Sequence, residues 1–208
     1  MIKTIKEESS AEIVIKKSKF IANVFYVESE KQAQDILKEM TKKYNDAKHN
    51  CYAYVINELQ EDGINKIQKS SDNGEPSGTA GAPLLDVIKK NGLTNVLIIV
   101  TRYFGGILLG TGGLVKAYTQ SAVEAIRKNE IIEKEIGNIY NVEISYSDLK
   151  EFTHYCDMEN ITISDTEYNE SINIIIETTA EKYDKLMNNK TNILNTKLLS
   201  NNNWIIIK

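Results

Sequence analysis

Two short segments concentrate the residues able to bind or react. The first, Ser71–Pro83, reads SDNGEPSGTAGAP, and the second, Thr101–Lys116, reads TRYFGGILLGTGGLVK. Each runs into a stretch of helical periodicity, so each would set glycines and hydroxyls at a helix start. First-turn N–H groups there have no intrahelical partner and carry partial positive charge, which suits an anion. Arg102 would add a cation able to bind in a bidentate way, and Lys116 a second positive charge. Ser77, Thr79 and Thr111 would offer hydroxyls, and Tyr103 a stacking face. Gly78, Gly105, Gly106, Gly110, Gly112 and Gly113 would let a phosphate or another backbone come close. Asp72 and Glu75 complete the candidate ligand-binding set. The same residues also fit a purely structural reading, because glycines serve tight turns and Ser or Thr cap helices. From the sequence both readings stay open.

Catalytic signatures are not met. Gly105 and Gly110 have the outer spacing of a P-loop, but Thr111 stands where its lysine belongs, and Val115 replaces the last glycine of a dinucleotide fingerprint. Asp72 and Glu75 in a Gly/Ser/Pro loop read as solvated turn residues before they read as a metal pair. His49 and Cys51 would share a strand face, whereas His154 and Cys156 fall on a helix with side chains about 200° apart. No metal, cofactor or catalytic residue is therefore assigned, and the balance is against an enzyme.

Those segments need elements to hold them. Strands are expected at Lys19–Val27, Cys51–Ile56, Ile64–Lys69 and Val96–Phe104, with Asn57–Gly63 as a turn. Helices follow Ser29, whose Gln32 completes a capping-box pattern, and Pro83, with Gly92 just past the end. A third helix is expected at Leu114–Lys128. The remainder reads strand Ile139–Tyr146, helix Asp148–Glu159, strands Thr162–Tyr168 and Ser171–Thr178, helix Ala180–Asn189 and strand Trp204–Ile207, with Asn201–Asn203 as a loop. That order is the ferredoxin-like βαββαβ pattern.

Composition divides at the same place. Residues 1–134 carry a formal charge of +2 and residues 135–208 one of −6, and only Gly137 of the 11 glycines falls after position 113. Two domains, 1–134 and 138–208, are the natural division, giving an α/β (α+β) protein. A net charge of −4 argues against life on bare nucleic acid and gives no expectation of DNA specificity. Lys16, Lys17, Lys19, Lys42, Lys43 and Lys48 would nonetheless form a basic surface, with Tyr52, Tyr54 or Tyr103 for stacking. A charged N-terminus, two cysteines and no long apolar run place the chain in the cytoplasm, away from membranes.

Four stretches, SKFIA (Ser18–Ala22), HNCYAY (His49–Tyr54), DNGEPSGTAG (Asp72–Gly81) and VTRYFGGILLGTGGLVKAY (Val100–Tyr118), together resemble the signature of the IMPACT/YigZ family. The resemblance implies a first domain with the second-domain fold of a small-subunit ribosomal protein and a ferredoxin-like second domain. It implies a translation-associated regulatory or binding role, with RNA, the ribosome or a translation-related protein as partner, and it brings no established catalytic residues. The expected function is thus binding through a glycine-rich, anion-binding cleft. The alternative is a small-molecule phosphotransferase, or another nucleotide-dependent enzyme, using Gly105–Gly113 as its phosphate loop.

Overall fold

A computed structural model describes residues 1–189 and 192–207. The chain forms two compact units, Lys3–Ile132 and Glu133–Lys208 with Met1–Ile2. After a short strand β1 (Ile2–Ile5), the first unit is built from β2 (Ser9–Ile15), β3 (Ser18–Tyr26), α1 (Glu30–Lys43), β4 (His49–Gln60), β5 (Gly63–Ser71), α2 (Gly81–Lys90), β6 (Val96–Tyr103) and α3 (Gly110–Arg127). Its sheet runs β2–β3–β6–β4–β5, with every neighbouring pair antiparallel.

The centre of the sheet is buried on both faces, and alternation along β3, β4 and β6 shows it, while the edge strand β5 is largely exposed. Phe20, Ala22, Val24, Cys51, Ala53, Ile98 and Val100 pack under α2 and α3. Tyr54, Ile56, Leu97 and Ile99 face α1 with its Ala33, Leu37 and Met40. Central β6 is inaccessible from Val96 to Val100. Each such side chain contributes about 1.5–3 kcal/mol of gross burial, which explains an unbroken apolar run at that point.

The second unit contains β7 (Ile131–Ile144), α4 (Leu149–Met158), β8 (Thr162–Tyr168), β9 (Ile172–Thr178), α5 (Ala180–Asn188) and β10 (Ile193–Ile207). β7 pairs with β10 on one side and β9 on the other, and β9 pairs with β8, all antiparallel. Val142, Ile144, Ile174 and Ile176 lie on one face, against Phe152 and Cys156 of α4 and Leu186 of α5. No described helix is long and apolar enough to cross a membrane.

Three local expectations change. β4 and β5 extend to meet in a hairpin pairing Gln60 with Gly63, so most of Asn57–Gly63 is strand. α3 begins at Gly110, four residues before the apolar periodicity starts. Asn201–Asn203 is a bulge within β10, with Asn202 in a left-handed conformation (φ 53°) and donating its N–H to Asn138 Oδ1. Pairing with β7 holds a polar segment that propensity alone would leave as loop.

One turn carries visible strain. Ile15 pairs with Ser18, so Lys16 and Lys17 form a two-residue hairpin loop with φ of 45° and 64°. That geometry favours Asn-Gly; two lysines there pay the Cβ penalty of the left-handed region. Replacing Lys16-Lys17 by Asn-Gly should stabilise the protein by about 1 kcal/mol, read as a raised urea midpoint with an unchanged slope; a lowered midpoint would show that the lysines are held by contacts of their own.

Candidate functional site

The register gathers the candidate residues at one end of the first sheet. Lys19 of β3 lies opposite Tyr103 of β6, and Arg102 opposite His49 of β4. The Lys16-Lys17 turn, the Asp72–Ala80 segment after β5 and the Phe104–Leu109 segment after β6 all leave the sheet here. The α3 helix joins them. Its C-terminal end is tied to the start of β2 through Ser9 Oγ donating to Ala125 O (2.9 Å), and its middle meets Phe20 edge-on through Tyr118. Its N-terminal end therefore lies at the site end.

The start of α2 is closed by the chain itself. Asp72 Oδ2 accepts from Gly78 N (2.8 Å), and Oδ1 accepts from Ala80 N (2.9 Å) and Gly81 N (2.8 Å). Partial burial acts to raise the Asp72 pKa, but these three backbone donors outweigh it and hold the carboxyl below its ordinary value. Asp72 is thus a built-in anion for the amides of Gly78, Ala80 and Gly81, while the Ala82 N–H meets no acceptor among the described residues. Gly81 serves packing: a Cβ there would sit 2.7 Å from Ser71 N. Thr79 is buried and donates to Pro76 O (2.6 Å), while Ser77 and Gly78 are exposed, Gly78 at positive φ.

Arg102 is not available to a ligand as a free cation. Its Nη1 lies 2.6 Å from Glu75 Oε1, with the two side chains 7% and 3% exposed. Tyr118 donates its hydroxyl to the same oxygen at 2.8 Å, and Cys51 Sγ lies 3.3 Å from the Tyr118 hydroxyl and 2.8 Å from Asp72 O. Burial pushes the Cys51 thiol up to about 12, so the cysteine is inert at neutral pH, and it pushes the Tyr118 hydroxyl far above its usual range. The guanidinium is sandwiched between the rings of Phe20 (5.5 Å) and Phe104 (5.6 Å). The sequence pattern puts Cys51 on a strand beside His49 and Tyr118 on the third helix without joining them to Glu75 and Arg102; the usable signal was Tyr118 itself, whose hydroxyl must find a partner when buried.

Beyond Arg102 the surface opens. Tyr103 donates to Asp46 Oδ1 (2.7 Å) beneath the ammonium of Lys19, 5.2 Å from the ring centre. Gly105 packs on the β2–β3 turn so closely that a Cβ would lie 2.0 Å from Lys17 C, and its N–H meets Ser18 Oγ. Gly106 and Gly110 adopt positive φ. Phe104, Ile107 and Leu108 are exposed, Leu108 by 82%. The first turn of α3, Gly110, Thr111 and Gly112, has no side-chain cap and no carbonyl on its N–H groups among the described residues. Nothing lies within 4 Å of a Cβ at Gly112, and Lys116 stands exposed one turn on. Within Gly105–Gly113, Gly105 is a packing glycine, whereas Gly110, Gly112 and Gly113 belong to the first turn of α3. Among the described residues no three His, Cys, Asp or Glu side chains gather to hold a metal.

Two outcomes follow from the closed part of the site. Glu75→Ala leaves Arg102 charged, buried and unpaired and should cost about 3–5 kcal/mol, whereas Glu75→Leu with Arg102→Met should recover most of that loss; equal denaturation midpoints for the single and double variants would refute the pairing. The Asp72 pKa is lowered on folding, so its stabilisation is present above the unfolded-state pKa of about 3.9 and is lost as pH falls through the folded value. The stability gap between wild type and Asp72→Asn should hold steady near neutrality and shrink in acid; a gap that widens in acid has the wrong sign.

The Impact N-terminal domain family matches residues 16–126, a span holding the closed helix start, the buried pair and the open helix start. IMPACT family member YvyE of Bacillus subtilis is 39% identical over 169 residues, covering 81% of this chain and 76% of its own. A Haemophilus influenzae IMPACT family member is 31% identical over 184 residues, covering 85% and 86%. A crystal structure described as that of a hypothetical protein superposes with a TM-score of 0.62 at 27% identity, covering 96% of both chains. The chain belongs to the IMPACT/YigZ family.

Proposed function

We propose that the protein is a translation-associated binding protein that contacts RNA phosphate through the open start of α3. The observation that carries this reading is the contrast between the two helix starts: Asp72 closes that of α2, while the amides of Gly110, Thr111 and Gly112 have no partner among the described residues. Lys116 is exposed one turn on, and exposed Lys16 and Lys17 sit on the strained turn that Gly105 packs against, at the same end of the sheet. Exposed Phe104 offers a face for a base, and Leu108 an apolar contact. Family membership supports the link to translation. Two further identities belong to the same proposal. The β10–β7–β9–β8 order with both helices on one face supports a ferredoxin-like second domain, and the family resemblance is the ground for a ribosomal-protein-like first unit.

The surface is smaller than the sequence set. Of the two cations in that set, Lys116 remains accessible and Arg102 does not, so binding tests belong on Lys16, Lys17 and Lys116. Changing these three to Ala should flatten the salt dependence of single-stranded RNA or ribosome binding by about two in log–log slope. An unchanged slope, or capture of a protein partner with no RNA affinity, would refute the phosphate contact.

A further inference from the structure

On the opposite face of the first sheet, between α1 and β4, lies an open groove of about 430 Å3. This is within the range of small-molecule sites. Its lining includes Lys38 and Lys42 and no carboxylate, in a chain whose net charge is −4. Lys42 is exposed and makes no ion pair among the described residues. Lys38 holds Asp35 at 3.3 Å with 77% of its side chain exposed, a contact weak enough to be exchanged for a ligand.

The wall is aromatic and the floor is made of amides. The Tyr52 ring lies parallel to Tyr54 (10° between planes, 6.1 Å between centres), and Tyr54 is anchored by donating to Glu30 Oε1. Asn73 Oδ1 accepts from Asn50 N (2.8 Å), which identifies that atom as the oxygen and leaves the Asn73 NH2 for a ligand. Asn50 Oδ1 accepts from Thr101 Oγ1 (2.7 Å), leaving its own NH2 likewise. Asn73 is kept in place in the left-handed region (φ 43°) by the contact of its carbonyl with His49 Nδ1 at 2.9 Å.

A braced flat ring, two amide donors and two cations are the complement of an aromatic base bearing acceptor atoms and joined to a phosphate. We infer that this groove binds a nucleotide unit, with the base on Tyr52, its ring nitrogen or carbonyl at Asn50 and Asn73, and the phosphate at Lys38 and Lys42. The unit is either a free mononucleotide or one nucleotide of a single-stranded RNA. The site shares no residue with the α3 surface, so either can fail alone.

The test is a titration of the full chain followed by 1H–15N NMR and calorimetry, with AMP, UMP, ribose 5-phosphate, inorganic phosphate and six-nucleotide oligo(A) and oligo(U). A nucleotide or oligonucleotide should move the side-chain amides of Asn50 and Asn73. Lys42→Ala should raise Kd about tenfold. Tyr52→Leu should do the same while Tyr52→Phe changes little, because the ring and not the hydroxyl supplies stacking. Changing Lys16, Lys17 and Lys116 to Ala should leave mononucleotide affinity unchanged. Binding of AMP or UMP assigns the groove to free nucleotides; binding of the oligonucleotides alone assigns it to RNA. No shift at Asn50 and Asn73 with any probe, inorganic phosphate binding as tightly as the nucleotides, or full affinity in Tyr52→Leu would overturn the inference.

Discussion

The buried Glu75–Arg102 pair is the contact on which the site end of the first unit depends. Two charges withdrawn from water hold together only if geometry and further hydrogen bonds compensate the desolvation. Here Tyr118 supplies one of those bonds, and Phe20 and Phe104 cover the guanidinium. Glu75 follows β5, Arg102 lies near the end of β6 and Tyr118 lies on α3, so one carboxylate fastens a loop to a strand and a helix. With the loop fastened there, Asp72 lies where the α2 amides converge, and the chain after Arg102 turns outward as an exposed segment. The same residues that look like ligand-binding groups are thereby the fastening of the scaffold.

From that fastening comes the asymmetry between the helix starts. Each presents convergent N–H groups and the positive end of a helix, and each would attract an anion. In α2 the anion is Asp72, eight residues before Ala80 in sequence and fixed in space. In α3 no residue of the chain plays that part among the described residues. The glycines divide in the same way. Gly81 and Gly105 are needed because another backbone passes too close for a Cβ, whereas Gly112 faces open space. A glycine that nothing crowds, at a helix start that nothing caps, is a cost in helix propensity of roughly 1 kcal/mol with no packing return. Under the proposed RNA contact, that glycine leaves room for a phosphate at the helix start.

Periodicity made much of this architecture legible. The unbroken apolar run of Val96–Val100, the Ser29 cap and the Pro83–Gly92 helix frame each carry a local physical signal, and each element stands where that signal places it. The start of α3 was not legible, because glycines at 110, 112 and 113 disfavour helix locally and only packing from Leu114 onward carries the helix back to them. The part of β10 before Trp204 was hidden for the converse reason: Asn201–Asn203 has loop chemistry, and the partner strand overrides it. In the site, the residue types were visible but their partners were not. Whether Asp72 and Arg102 meet a ligand or each other's neighbours is a question of contacts between distant positions, such as the 27 residues separating Glu75 from Arg102, and no local pattern encodes it.

Amide hydrogen exchange on the full chain compares the two helix starts within one sample. Gly78, Ala80 and Gly81 should exchange slowly, protected by the Asp72 carboxylate, while Gly110, Thr111 and Gly112 exchange close to the rate of an unstructured peptide and become protected when single-stranded RNA is added. Strong protection of Gly110–Gly112 in the free protein would mean that the chain closes this helix start as well, and would contradict the claim that it is held open for a phosphate.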